Sequence, residues 1–310
     1  MQITNTILMI RPVNFRMNEQ TAVNNYFQRD IDLGDTAINA RAQAEFDDFV
    51  TLLRSKGVTV LVVEDTKDPS TPDSIFPNNW ISFHADGTVG MYPMFAENRR
   101  DERREDILDM LEKKGFLIES VMDYTTAEEE GIFLEGTGSI LLDRMNEKAY
   151  CALSERANEE LLIEFCEDFE YLPVIFKAYQ TVDGKRLPIY HTNVMMCLGE
   201  DFSVICLDSI DDKKERKNVT DHLKKDGKEI INITEKQMHH FAGNMLQVLG
   251  GENKRLLVMS TAAYDSLTRD QIKRLEAHSE IVHSSLETIE TCGGGSARCM
   301  MAEVFLPKAN

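Results

Sequence analysis

The feature that most limits what this chain can fold into is a rhythm. A strand pair, a helix and a further strand recur about five times along its 310 residues. Residues 6–11, Thr-Ile-Leu-Met-Ile-Arg, make a short apolar strand. Ala42, Phe46, Phe49, Val50 and Leu53 then share one helical face, and Gly57 stands where such a helix stops. Residues 58–63 are a β-branched strand. The turn-rich stretch 72–80 leads to a strand pair, with Asp86-Gly87 as its hairpin turn and residues 88–94 returning. Residues 101–114 predict a charged helix with Ile107, Leu108 and Leu111 inside, and residues 131–142 a Glu-Gly-Thr-Gly turn followed by a strand. Ser154 is placed to cap a helix burying Ala157, Leu161, Phe165 and Phe169. Residues 187–198 and 203–207 read as paired strands, and residues 211–226 as a polar helix anchored by Val219 and Leu223. Residues 236–249 read as a short helix or loop around Phe241-Ala242-Gly243-Asn244. A strand at 255–259 and a capping box at Thr268-Arg269-Asp270-Gln271 precede the last strands, at 281–282 and 302–306.

The period lies somewhat above that of most solenoid repeats. No Pro- or Ser-rich linker interrupts it, so residues 1–310 are expected to form one α/β domain. A doubly wound sheet is the rival, but no G-x-G-x-x-G follows the first strand.

Charge narrows the function classes. Against 34 Lys and Arg stand 53 Asp and Glu, a net −19, which argues against nucleic acid and anionic membrane surfaces. No apolar run approaches a bilayer span, and the start lacks a basic region followed by a long apolar stretch. Six cysteines are scattered without zinc-like spacing and read as reduced thiols, so a cytoplasmic location is expected.

The chemistry-bearing residues are few. A Gly-rich turn, residues 293–295, runs towards Cys299 and an apolar strand. A lone cysteine there is more often a small buried residue. A thiolate, however, is favoured by a nearby cation or by backbone N–H groups, which the glycine turn is placed to supply. Cys292 precedes the glycines and is expected to be packed away. His191 is a candidate proton shuttle near neutral pH, with the pair His239-His240 as competitor. Glu135, before a Gly-x-Gly turn, is either a water-facing turn acid or the acceptor that orients His191 or holds a cationic nitrogen. Together these residues offer a nucleophile, a base and an acid.

The segments Phe76-Pro77-Asn78-Asn79, Leu134-Glu135-Gly136-Thr137-Gly138, His191-Thr192-Asn193 and Gly294-Gly295-Ser296-Ala297-Arg298-Cys299 occur in an order that resembles the guanidino-group-modifying enzymes. That superfamily includes arginine deiminases, dimethylargininases and amidinotransferases. The resemblance runs from Arg11 to Cys299 and implies the pentein, a five-module αβ-propeller with pseudo-fivefold symmetry. It implies Cys299 as nucleophile, His191 as general acid/base and Glu135 as the acid that holds the histidine or the substrate nitrogens. Asp73 matches an aspartate that contacts the guanidinium, and Arg156 with Arg99 or Arg100 match arginines that grip the substrate carboxylate. An arginine suits that task because its planar fork meets a carboxylate bidentately.

Two positions depart from arginine deiminases, which carry acids where this chain has Asn79 and Asn193. An amide offers a donor and an acceptor, and so suits a neutral ureido group. The resemblance to citrulline-utilisation hydrolases therefore implies conversion of citrulline to ornithine, ammonia and carbon dioxide, with no cofactor or metal. Arginine deimination and amidino transfer are the alternatives within this chemistry. A non-catalytic pentein that binds a partner surface is the alternative outside it. The expected partner is a small amino-acid substrate; a homodimer stays open.

Overall fold

The computed structural model describes residues 1–309. Among them the strands form five three-stranded sheets and one two-stranded hairpin. All five sheets share one design: the central strand runs antiparallel to one neighbour and parallel to the other. In the first, Thr6–Arg11 lies between Ala302–Glu303 and Thr59–Glu64. In the second, Thr88–Met91 lies between Ile81–Phe83 and Ser120–Asp123. The third sets Lys148–Ala152 between Ile140–Asp143 and Leu172–Phe176. The fourth sets Phe202–Ile205 between Met196–Leu198 and Glu229–Asn232, and the fifth Arg255–Ser260 between Leu246–Leu249 and Glu280–Ser284.

A parallel partner requires a crossover, and a helix supplies it each time. Asp35–Ser55, Glu105–Lys113, Glu159–Asp168, Lys213–Lys225 and Arg269–Glu276 bridge the central strand to its parallel neighbour. The helical faces follow the apolar spacing. Asp35–Ser55 buries Ile38, Ala42, Phe46, Phe49, Val50 and Leu53, and Lys213–Lys225 buries only Val219 and Leu223.

Two local expectations change. The helix over Glu159–Asp168 is capped by Asn158, whose side chain accepts from the Leu161 N–H at 3.1 Å. Ser154 instead donates to the Tyr190 carbonyl at 2.8 Å, which ties this loop to the residue before His191. The stretch 187–198 is not one strand. Lys185–Pro188 pairs with Tyr179–Val182, and Met196–Leu198 with Phe202–Ile205, leaving His191 in the break between them.

That break is part of a general arrangement. Each antiparallel outer strand is entered from a short helical turn or loop. Pro77–Asn79 precedes Ile81–Phe83, Gly136–Ser139 precedes Ile140–Asp143, and Thr192–Met195 precedes Met196–Leu198. Residues 241–245 and 297–301 lead into Leu246–Leu249 and Ala302–Glu303. The entry segments thus bear Asn79, Glu135, His191 with Asn193, Asn244 and Cys299. The last arrives because the chain's end closes the first sheet, with Ile7 opposite Glu303 and Leu8 opposite Ala302.

The third and fourth sheets are also pinned to one another. Lys228 and Asp143 form an ion pair at 3.0 Å with no exposed side-chain surface. Lys228 spends its other donors on the carbonyls of Gly199 and Glu200, at 3.0 and 2.9 Å. A buried pair satisfied in this way specifies geometry more than it adds stability. Here it fixes the sheet that follows Glu135 against the sheet that follows His191. Among the described residues no helix is long and apolar enough to cross a membrane.

Candidate active site

Cys299, His191, Asp73, Asn79, Arg99 and Arg156 line one small cavity of about 10 Å³, together with Phe76, Tyr190 and the glycine turn. Glu135 stands directly behind His191. Arg100 lies outside. Its guanidinium donates to the Met94 carbonyl at 3.2 Å and meets Glu128 at 3.4 Å. His239 and His240 are exposed and do not line the cavity.

One wall is built from charge. Glu135 is wholly buried, and its Oε2 accepts from His191 Nε2 at 2.6 Å. Its other oxygen accepts the Phe95 N–H at 3.0 Å, and Arg156 Nη1 lies 3.5 Å from Oε2. Burial by itself would raise this carboxyl. The Arg156 charge, the His191 hydrogen bond and charge, and Arg99 together pull it down to about 2. Burial drives His191 the other way, to about 4, despite the support of Glu135. The pair therefore rests as carboxylate and neutral imidazole. With its Nε2–H given to Glu135, the ring keeps Nδ1 as a proton acceptor, and the carboxylate favours the imidazolium that would form. The Gly-x-Gly turn makes room for this ring. A Cβ on Gly138 would fall 2.9 Å from His191 Nδ1 and 2.4 Å from Asn79 Nδ2.

The opposite wall is neutral. Cys299 is 4% exposed, and its Sγ faces two amide donors: Asn244 Nδ2 at 3.2 Å and Asn193 Nδ2 at 3.5 Å. The expected N–H groups of the glycine turn are not among the donors to the sulfur. That turn presents carbonyls instead. Gly294 accepts the Tyr190 hydroxyl at 2.6 Å, and Gly293 accepts Gln28 Nε2 at 3.0 Å. Cys292 is fully buried in a short helix, Glu287–Gly293, and burial pushes its thiol up to about 11.

The remaining residues could hold a substrate's polar groups. Asp73 is 2% exposed; its Oδ2 accepts from Asn18 at 2.8 Å and Thr21 at 3.0 Å, while its Oδ1 has no partner. Arg99 gives its Nε and Nη2 to Glu102, at 2.8 and 2.9 Å, and its Nη1 to Asn79 Oδ1 at 2.9 Å. Arg156 gives its Nε to Asn24 Oδ1 and its Nη2 to the Thr21 carbonyl, both at 3.0 Å. A strap, residues 18–28, thus closes over the cavity through Asn18, Thr21, Asn24, Asn25 and Gln28. Sequence reasoning missed this strap, Glu102 and Asn244. The first two leave no local signature. Asn244 does leave one: a Gly-Asn step just before an apolar strand, much as Asn78-Asn79 precedes Ile81.

The sequence matches the family N,N dimethylarginine dimethylhydrolase, eukaryotic, over residues 11–306. No curated protein matches it significantly. Among solved structures it is similar to ArgZ, an arginine dihydrolase from the ornithine–ammonia cycle in cyanobacteria. The TM-score is 0.74 at 18% identity, over 98% of this chain and 41% of that one. The chain therefore spans about two fifths of full-length ArgZ. Against the N-terminal domain of ArgZ, a cysteine-to-serine mutant bound to substrate, the TM-score is 0.70 at 17% identity, over 97% of this chain and 99% of that one. Against a dimethylarginine dimethylaminohydrolase carrying an adduct with S-methyl-L-thiocitrulline, it is 0.65 at 15% identity, over 97% and 99%. At these identities the likeness is one of fold.

Proposed function

This chain belongs to the N,N dimethylarginine dimethylhydrolase family, within the pentein superfamily of guanidino-modifying hydrolases, and from that premise we propose that it is a cysteine hydrolase of the ureido or guanidino carbon of a free amino acid. The favoured substrate is citrulline, converted to ornithine, ammonia and carbon dioxide. Arginine entering the same site undergoes one earlier hydrolysis, to citrulline and ammonia.

The observation that carries this reading is the free oxygen of Asp73. A buried carboxylate oxygen without a partner, in the cavity that holds Cys299 and His191, calls for a donor from a ligand. The terminal NH2 of a ureido or guanidino group is such a donor. Asn79 and Asn193 add neutral amides where a purely cationic ligand would be better met by acids. The fold neighbour described as an arginine dihydrolase fits a site that serves both steps.

In the proposed mechanism Cys299 passes its thiol proton to His191 and its Sγ attacks the central carbon, while the C=O or C=N electron pair moves onto the heteroatom. As that pair returns, the terminal C–N bond breaks and ammonia departs with a proton from His191. Water then attacks the thiocarbamate or thiouronium adduct, giving a proton to His191 and releasing the sulfur. From citrulline the product is a carbamic acid, which loses carbon dioxide to leave ornithine. Glu135 holds the imidazole and stabilises its cation.

The five sheets are proposed to close into a propeller about a pseudo-fivefold axis, in one catalytic domain. The shared strand design, the convergence of entry segments on the cavity, and the Leu249 N–H bond to the Thr4 carbonyl (2.9 Å), which joins the last sheet to the first, support that ring.

The test is a product assay on citrulline, arginine, agmatine and N-succinylarginine, following ornithine, citrulline and ammonia. Ornithine is expected from citrulline, with agmatine turned over poorly. Arginine converted to citrulline with citrulline left untouched would make the protein a deiminase. No turnover of any compound would favour a binding role.

A further inference from the structure

We propose that Asn244 is a catalytic hydrogen-bond donor to Cys299, aiming one amide N–H at the sulfur so that its thiolate is favoured and held for attack. The inference rests on Cys299 being the nucleophile and assigns a role to a residue outside the nucleophile, base and acid.

The argument starts from the orientation of the amide, which its surroundings decide. Asn244 is 1% exposed. Its Oδ1 accepts the Arg298 N–H at 3.0 Å, and its Nδ2 donates to the Asn193 carbonyl at 3.0 Å. Turned over, the amide would set oxygen against a carbonyl oxygen and NH2 against an N–H, losing both bonds. Its second Nδ2 hydrogen is therefore left for Sγ, 3.2 Å away. An N–H offered from a buried position acts with little solvent screening, and a thiolate accepts it more strongly than a thiol does.

The backbone around Asn244 holds this aim. A Cβ on Gly243 would lie 2.4 Å from the Val194 carbonyl, so the loop presses directly on the turn that carries His191 and Asn193. The N–H that Asn244 Oδ1 accepts also belongs to Arg298, the residue just before the nucleophile. One side chain thus registers the third, fourth and fifth entry segments against the sulfur. Asn193, the more distant donor at 3.5 Å, is the lesser contributor.

The experiment is the pH dependence of Cys299 alkylation by chloroacetamidine, read by peptide mass mapping on folded protein. All six cysteines are buried, and of them Cys299 alone lines this cavity. In Asn244→Ala the rate near neutral pH should fall about tenfold and its pH midpoint should rise by about one unit, the size of one lost hydrogen bond to a charged group. Asn244→Asp keeps the shape but sets an acceptor and a negative charge against the sulfur, so its loss should be larger. For the preferred substrate kcat should fall more than KM changes. A folded Asn244→Ala or Asn244→Asp with the wild-type midpoint would overturn the proposal, leaving Asn244 as a purely structural amide. So would failure of both variants to fold. Wild-type Cys299 that resists alkylation at every pH would instead remove the nucleophile, and with it the hydrolase reading.

Discussion

The two walls of the cavity are made from opposite materials. Around His191 stand a carboxylate and an arginine, buried and within 3.5 Å of one another. Around Cys299 stand the uncharged amides of Asn193 and Asn244. The difference has a physical reason. An imidazole that must gain a proton is helped by a neighbouring anion, which steadies the cation it becomes. A sulfur that must lose one would be opposed by that same anion. Neutral donors would serve the proposed nucleophile without setting an anion against the sulfur. Arg156 lies on the charged side, where it keeps Glu135 ionised.

The comparison can be broken most sharply at the sulfur. Cys299→Ser should lower kcat/KM by on the order of 10³ or more, since a hydroxyl is a far weaker nucleophile than a thiolate. Cys292→Ser, in the same region of sequence, should stay within about twofold of wild type, because buried Cys292 plays no part in the proposed chemistry. Equal losses in both variants, measured by steady-state kinetics on protein checked by circular dichroism, would show that the glycine-rich terminus matters only for folding.

The charged wall comes next. Glu135→Gln keeps the shape of the side chain but removes the anion behind His191. It should reduce kcat about 10²- to 10⁴-fold, the range for a positioned proton shuttle, with a smaller change in KM. A loss below about tenfold would make the Glu135–His191 pair a structural contact.

The smallest effect is on stability. The folded-state pKa of His191 is lowered from 6.5 to about 4, so its contribution is full above about pH 6.5 and is lost as pH falls towards 4. Glu135 is lowered from 4.5 to about 2, so its share is present above about pH 4.5 and is lost as pH falls through 2. Urea midpoints should therefore drop between pH 6.5 and 4 before Glu135 contributes its own loss. In His191→Asn the decline over that upper window should be shallower. An unchanged slope would mean that His191 is already protonated in the folded protein.

Much of the fold was legible because it is local. Apolar spacing marked the helices at Asp35–Ser55 and Lys213–Lys225, and the recurrence of strand pair, helix and strand foretold the sheets. Serine and asparagine cap equally well, so the sequence does not separate Ser154 from Asn158, and only the entry of the chain chooses Asn158. In residues 187–198 the only punctuating residue is Pro188, where Lys185–Pro188 ends; residues 189–195, which hold His191, contain neither glycine nor proline to mark the break.

For the site, the sequence by itself singled out the residues proposed to carry chemistry: Cys299, His191 and Glu135 stand in recognisable turns before apolar strands. Tertiary structure decided how they are served. It turned Arg99 into the cavity and Arg100 out of it, although the two are neighbours on one short helix. It filled the Arg99 fork with Glu102 and brought Asn24 across 132 positions to Arg156. It also placed Asn244 on the sulfur, 55 positions away in sequence. Periodicity reports which face of an element is buried. It does not report which buried faces meet, because that depends on how the sheets close, here through the pairing of residues 7 and 8 with residues 303 and 302.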